Sequence, residues 1–120
     1  MPQSMFERYG GFAVVRKIVS EFYDRILDAP NLQGYFANVE MRLLIDHQTK
    51  FIAQMMGGPA SYTNDTLQRV HAHLGIGHAD FLEMADILRE TLEDFDLQQA
   101  DIDLVYREVM RREPYIVARR

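Results

Sequence analysis

The side chains best suited to bind a metal or move a proton are four histidines, His47, His71, His73 and His78, in a chain with no cysteine. A neutral imidazole is a ready metal ligand. The lack of cysteine removes disulfides, thiolate ligands and a cysteine nucleophile. His71, His73 and His78 lie close together in sequence, as a zinc cluster would require. Zinc sites, however, usually draw well-spaced ligands that include thiolates or carboxylates, and Gly75 and Gly77 break the helix that would align these three. No nucleophile motif, phosphate-binding glycine loop or matched carboxylate pair is present. More telling are three polar residues on apolar stripes. Gln48 is in register with Leu44, Ile45 and Ile52; Tyr23 lies one turn from Val19; His71 is in register with Leu67, Val70 and Leu74. A buried polar group without a hydrogen bond costs about 1–3 kcal/mol. Each therefore needs a partner. Singly, an ordinary core contact supplies one; three on separate helices of a small domain point to a polar cluster at a shared cavity.

The elements that carry these residues read as helices. Val15, Ile18, Val19, Phe22 and Ile26 recur at three-and-four spacing over 11–28, and Asp28 with Pro30 closes that segment. A short helical turn is expected over 32–36. Met41, Leu44, Ile45, Gln48, Ile52, Met55 and Met56 form a stripe over 40–56, stopped by Gly57-Gly58-Pro59. Residues 59–65 are turn chemistry, and a short helix with Leu67, Val70, His71 and Leu74 on one face follows. Two further helices are expected over 79–95 and 98–113, with Pro114 ending or kinking the last. No period-two alternation is long enough for a strand. The expected fold class is all-α, in one domain spanning residues 1–120.

Composition sets the outer limits. A chain of 120 residues suits one domain, and 48% apolar content supports a folded core. A formal net charge of −5 argues against nucleic-acid binding. The start, MPQSMFERYGG, lacks a signal-like apolar region, and no run approaches the roughly 18 apolar residues of a membrane span. A soluble cytoplasmic protein, monomeric or weakly dimeric, with no membrane partner, is expected.

Taken in order, Gly10-Gly11, Phe22-Tyr23, Tyr35-Phe36, His47-Gln48, Gly57-Gly58-Pro59 with Tyr62, His71, Gly75-Ile76 and Phe81 resemble a truncated haemoglobin of the first group. The resemblance runs from about residue 5 to residue 95, and the last helix continues it. One departure is Asn64, where the family often has glycine. The resemblance implies a two-over-two helical sandwich around haem b, with His71 as proximal iron ligand. It implies a cofactor lining of Phe36, Phe51, Leu67, Leu74, Ile76, Phe81, Met84 and Leu88, with Lys50 and Arg69 near the propionates. On the distal side it implies Tyr23, Leu44, His47 and Gln48. A tyrosine hydroxyl and a glutamine amide donate hydrogen bonds to a gas that gains negative charge at iron. Many relatives carry lysine where this chain has His47. Two roles for His47 stay open: a sixth iron ligand, or an outward residue bonded to a propionate.

The expected function is binding of dioxygen, nitric oxide and carbon monoxide at ferrous iron, with nitric oxide dioxygenase activity as the enzymatic extension. No flavin or nicotinamide motif is present, so that reaction would need a separate reductase. The alternative is a six-coordinate bis-histidyl protein, with His71 and His47 both on iron, in redox or gas sensing. A helical interaction module without cofactor is the third reading, separated from the others by a Soret band after haem supplementation.

Overall fold

The computed structural model describes residues 4–59 and 75–117. Its helices, in chain order, are α1 (Met5–Arg8), α2 (Phe12–Leu27), α3 (Met41–Met55), α4 (His78–Asp94), α5 (Gln99–Arg111) and α6 (Glu113–Ile116), with a 3-10 turn at Gln33–Phe36 between α2 and α3. The described residues contain no strand. Helix α2 packs against α3 and α4, and α4 against α5. One core joins Ile18 and Ile26 of α2, Ile52 of α3, Leu88 and Leu92 of α4, and Ile102 and Val105 of α5. Among the described residues no helix is long and apolar enough to cross a membrane.

The four long helices follow the sequence stripes to within a residue or two. Helix α1 was not expected, although its signature is plain: Ser4 Oγ accepts from Glu7 N at 3.2 Å while Glu7 Oε1 accepts from Ser4 N at 3.2 Å. This reciprocal capping satisfies two donors that a helix start leaves open. Pro114 does follow the end of α5, but it sits in the first turn of α6, where its missing N–H is harmless.

Two corners have defined closures. After α3, Gly57 takes φ +85° and its N–H bonds Gln54 O at 3.0 Å, while Gly58 N–H bonds Ala53 O at 2.8 Å. This paired closure needs a left-handed residue, which glycine adopts cheaply. After α4 the same pattern recurs with Asp96 at φ 62°: Asp96 N–H bonds Glu93 O and Leu97 N–H bonds Leu92 O. Aspartate is among the few side chains that tolerate this region.

Helices α4 and α5 start in a shared way. Neither capping residue, Gly77 or Gln98, offers a side-chain cap. At α5, Gln98 N–H donates to the Tyr9 hydroxyl at 2.9 Å, and that hydroxyl donates to Asp101 at 2.6 Å. At α4, Gly77 N–H donates to the Tyr35 hydroxyl at 3.4 Å, and Tyr35 donates to Asp80. In both cases a tyrosine from a distant part of the chain stands between the capping N–H and the carboxylate three residues on. The carboxylates also suit the positive end of the helix dipole.

Candidate functional site

A cavity of about 450 Å3 opens between the α2–α3 wall and α4, with α5 and α6 contributing at one side. That volume is typical of small-molecule sites, and the lining is mostly apolar. Helix periodicity explains the α3 wall: Leu44, His47, Gln48, Phe51, Ile52 and Met55 recur every three or four residues and all line the cavity.

Tyr23 is the most distinctive polar residue there. It is 7% exposed, lies on the lining, and makes no hydrogen bond among the described residues. Phe22 and Phe36 meet its ring edge-on at 4.9 and 5.7 Å. Burial pushes its phenol well above the ordinary value, so it stays a neutral O–H donor at any physiological pH. Gln48, half-buried on the same lining, also has no hydrogen-bond partner among the described residues. His47 lines the cavity one position before it. By contrast, the buried Thr49 hydroxyl is satisfied within its own helix, by Ile45 O at 2.6 Å.

Of the lining expected for a cofactor, Phe36, Phe51, Ile76, Phe81, Met84 and Leu88 come together here, as do Tyr23, Leu44, His47 and Gln48. His71, Leu67, Leu74 and Arg69 lie outside the described residues, as do Tyr62, Asn64 and His73. Lys50 is exposed and is not part of the lining. Among the described residues Arg112 is set against a lining ring: its guanidinium lies 5.6 Å from the Phe51 centroid and donates to Glu108 O at 2.7 Å. His78 is exposed at the start of α4 and pairs with Glu113 of α6.

Several lining residues were not anticipated as such. Ile26, Ile52, Met55 and Val109 sit on stripes already read as apolar, so their type was visible but not the direction they face. Ile116 follows Pro114, where no helix was expected. Val39, Glu40 and the exposed Leu43 form part of the lining beside the start of α3.

This arrangement can hold a largely apolar group of small-molecule size and present two hydrogen-bond donors to whatever sits beside it. No group of three or more histidine or acidic side chains suited to a bare metal ion occurs among the described residues.

The sequence pattern of the bacterial-like globin family matches residues 4–115. The group 1 truncated hemoglobin of Mycolicibacterium paratuberculosis is 34% identical over 103 residues, covering 78% of this chain and 76% of that protein. That of Tetrahymena pyriformis is 26% identical, covering 85% and 84%. Among solved structures, the 2/2 hemoglobin of Synechococcus, which has covalently attached heme, superposes with a TM-score of 0.88 at 26% identity, covering 98% of this chain and 100% of that one. Truncated hemoglobin from Tetrahymena pyriformis in the Fe(III) form superposes at 0.86 with 21% identity and the same coverage, a likeness of fold.

Proposed function

This chain belongs to the bacterial-like globin family, and from that premise we propose that its cavity holds haem b, that His71 is the proximal iron ligand, and that Tyr23 and Gln48 face the gas. Haem supplies an iron with an open position for a diatomic ligand: dioxygen, nitric oxide or carbon monoxide. The chain supplies the rest. Apolar side chains from both walls exclude water, which strengthens any hydrogen bond made inside. Tyr23, held neutral by burial, would donate a hydrogen bond from its hydroxyl to the gas, and the Gln48 amide would donate another beside it. His71, as a neutral imidazole, ligates through one nitrogen and donates from the other to a carbonyl or water.

The carrying observation is the Tyr23 hydroxyl. The Tyr23 side chain is 7% exposed and lies on an apolar cavity, and its hydroxyl has no partner among the described residues. Leaving such a group unsatisfied costs about 1–3 kcal/mol, a cost that a ligand acceptor removes.

The same site is suited to nitric oxide dioxygenation, in which dioxygen and nitric oxide combine to nitrate and a separate reductase returns the electron. Stopped-flow mixing of the dioxygen-loaded ferrous protein with nitric oxide tests this. Fast nitrate formation supports it, and slow or absent oxidation contradicts it. A second reading, with His47 as sixth ligand to haem, is favoured by the place of His47 on the lining. Visible spectra of the ferric and ferrous ligand-free protein report haem and coordination number together. If His47→Ala leaves both spectra unchanged, His47 does not ligate the iron.

A further inference from the structure

The chain after α5 makes contacts that gas binding does not use. Arg112 ends α5 and starts α6, and the turn that follows reaches both α3 and α4. On the α3 side, the Arg112 guanidinium lies 5.6 Å from the Phe51 ring centroid. Glu108 holds it there, through its carbonyl at 2.7 Å and its carboxylate at 3.2 Å. On the α4 side, Glu113 pairs with His78. Beyond these two attachments, Ile116 joins Val109 on the cavity lining. Residues 112–116 thus form a strap, tied to α3 and to α4, with an apolar side chain on the cavity.

The two ties differ. The Arg112–Glu108 bonds lie within one turn of helix and would survive if the strap lifted. The Glu113–His78 pair joins separate helices. Glu113 Oε2 is shut off from solvent and accepts no hydrogen bond among the described residues, so His78 Nδ1 is what offsets the loss of water around that carboxylate. His78 itself is exposed, which makes the tie a weak one. Helix α6 has four residues, too few to be stable alone. Its own hold on the body is this pair and the apolar packing of Tyr115 and Ile116. Helices α2, α3 and α4, in contrast, share one core and cannot part without breaking it. The strap is a piece of cavity wall that can move while the core stays intact.

We propose that residues 112–116 are a latched strap, closed by the His78–Glu113 pair, whose opening admits and releases the bulky apolar occupant of the cavity. The proposal rests on the haem reading above. A diatomic gas is small enough not to need this movement, so the latch governs exchange of the cofactor and leaves gas binding alone.

The test mixes the haem-loaded ferric protein with excess apomyoglobin as haem acceptor and follows transfer by visible absorbance. Amide exchange reports the strap: Val117 N–H bonds Glu113 O at 2.9 Å, while Leu97 N–H, bonded to Leu92 O past the far end of α4, is the control. Glu113→Gln and His78→Ala should each speed Val117 exchange and haem transfer about twofold to fivefold, the scale of a partly exposed ion pair. The double variant should go no further than either single one. Leu97 exchange and carbon monoxide rebinding after a flash should not change. His78→Cys with Glu113→Cys supplies the chain's only thiols; bridging them with a short bifunctional maleimide should slow haem transfer below that of the unbridged variant. Unchanged Val117 exchange in both single variants would overturn the latch. Faster Val117 exchange with unchanged haem transfer would overturn its role in cofactor exchange and leave the haem reading intact. A parent protein that takes up no haem would overturn that reading and the exchange role with it, and Val117 exchange in the same protein would still decide the latch.

Discussion

Three tyrosines contrast the two ways this fold treats a polar group inside it. At the starts of α4 and α5, Tyr35 and Tyr9 each accept one hydrogen bond and donate another, joining a capping N–H to an acidic side chain. On the cavity wall, Tyr23 is more deeply buried than either and bonds to nothing among the described residues. The same hydroxyl is thus a structural joint in two places and an unfilled donor in the third. Residue type alone does not distinguish a joint from a ligand-facing group; the partner set does. Gln48 falls on the Tyr23 side of this division. Thr49, its neighbour in sequence, falls on the other, because its hydroxyl bonds back to Ile45 O.

Emptying the cavity should have the largest effect. Haem that binds only the folded chain stabilises it by mass action, about 4 kcal/mol when its concentration exceeds the dissociation constant a thousandfold. Apoprotein should accordingly unfold at markedly lower denaturant than the haem-loaded form, and equal midpoints would contradict a cofactor-filled core. Next in size is Tyr23→Phe. If the hydroxyl bonds the gas, dioxygen should leave about ten to a hundred times faster, read by stopped-flow displacement with carbon monoxide. Gln48→Leu should accelerate release less, by about threefold to tenfold, since an amide is a weaker donor and Gln48 is less buried. Phenylalanine substitution at Tyr9 should leave dioxygen release unchanged and cost about 1 kcal/mol of stability in urea unfolding. If Tyr9→Phe altered gas release as much as Tyr23→Phe does, the division between joint and donor would fail.

The joint at α5 also makes a pH prediction. Arg8, with two bonds of 3.1 Å, and then Tyr9 hold the Asp101 carboxyl below its ordinary value of 3.8. A carboxyl depressed in the folded state adds stability that is present above its unfolded value and is lost as pH falls through the folded one. Acid unfolding followed by circular dichroism should therefore show an Asp101 contribution that disappears below about pH 4. Asp101→Asn should flatten that part of the curve while leaving stability near pH 7 lower than in the parent.

Much of this was legible in advance, for a physical reason. Helices α2 to α5 each bury one stripe, and a stripe at three-and-four spacing is a local property. The Ser4–Glu7 capping pair is equally local. What could not be read were the long-range pairings. Tyr35 meets Asp80 across 45 positions and Tyr9 meets Asp101 across 92, and nothing near either tyrosine announces its partner. The direction a stripe faces was hidden in the same way. Val109 reads as core and lines the cavity, and Arg112 packs against Phe51 with nothing near either in sequence to show it. Polar residues on apolar stripes remained the best guide to the site, since Tyr23 and Gln48 both line it.

If the cavity is a haem pocket, His71 holds the iron and haem uptake depends on it. Purified protein titrated with haem and followed at the Soret band tests it most directly, with His71→Ala, His73→Ala and His78→Ala in parallel. The parent and the His73 and His78 variants should take up haem stoichiometrically, and His71→Ala should retain it far more weakly. A parent with no Soret band after supplementation, or a His71→Ala variant that retains haem as tightly as the parent, would contradict it.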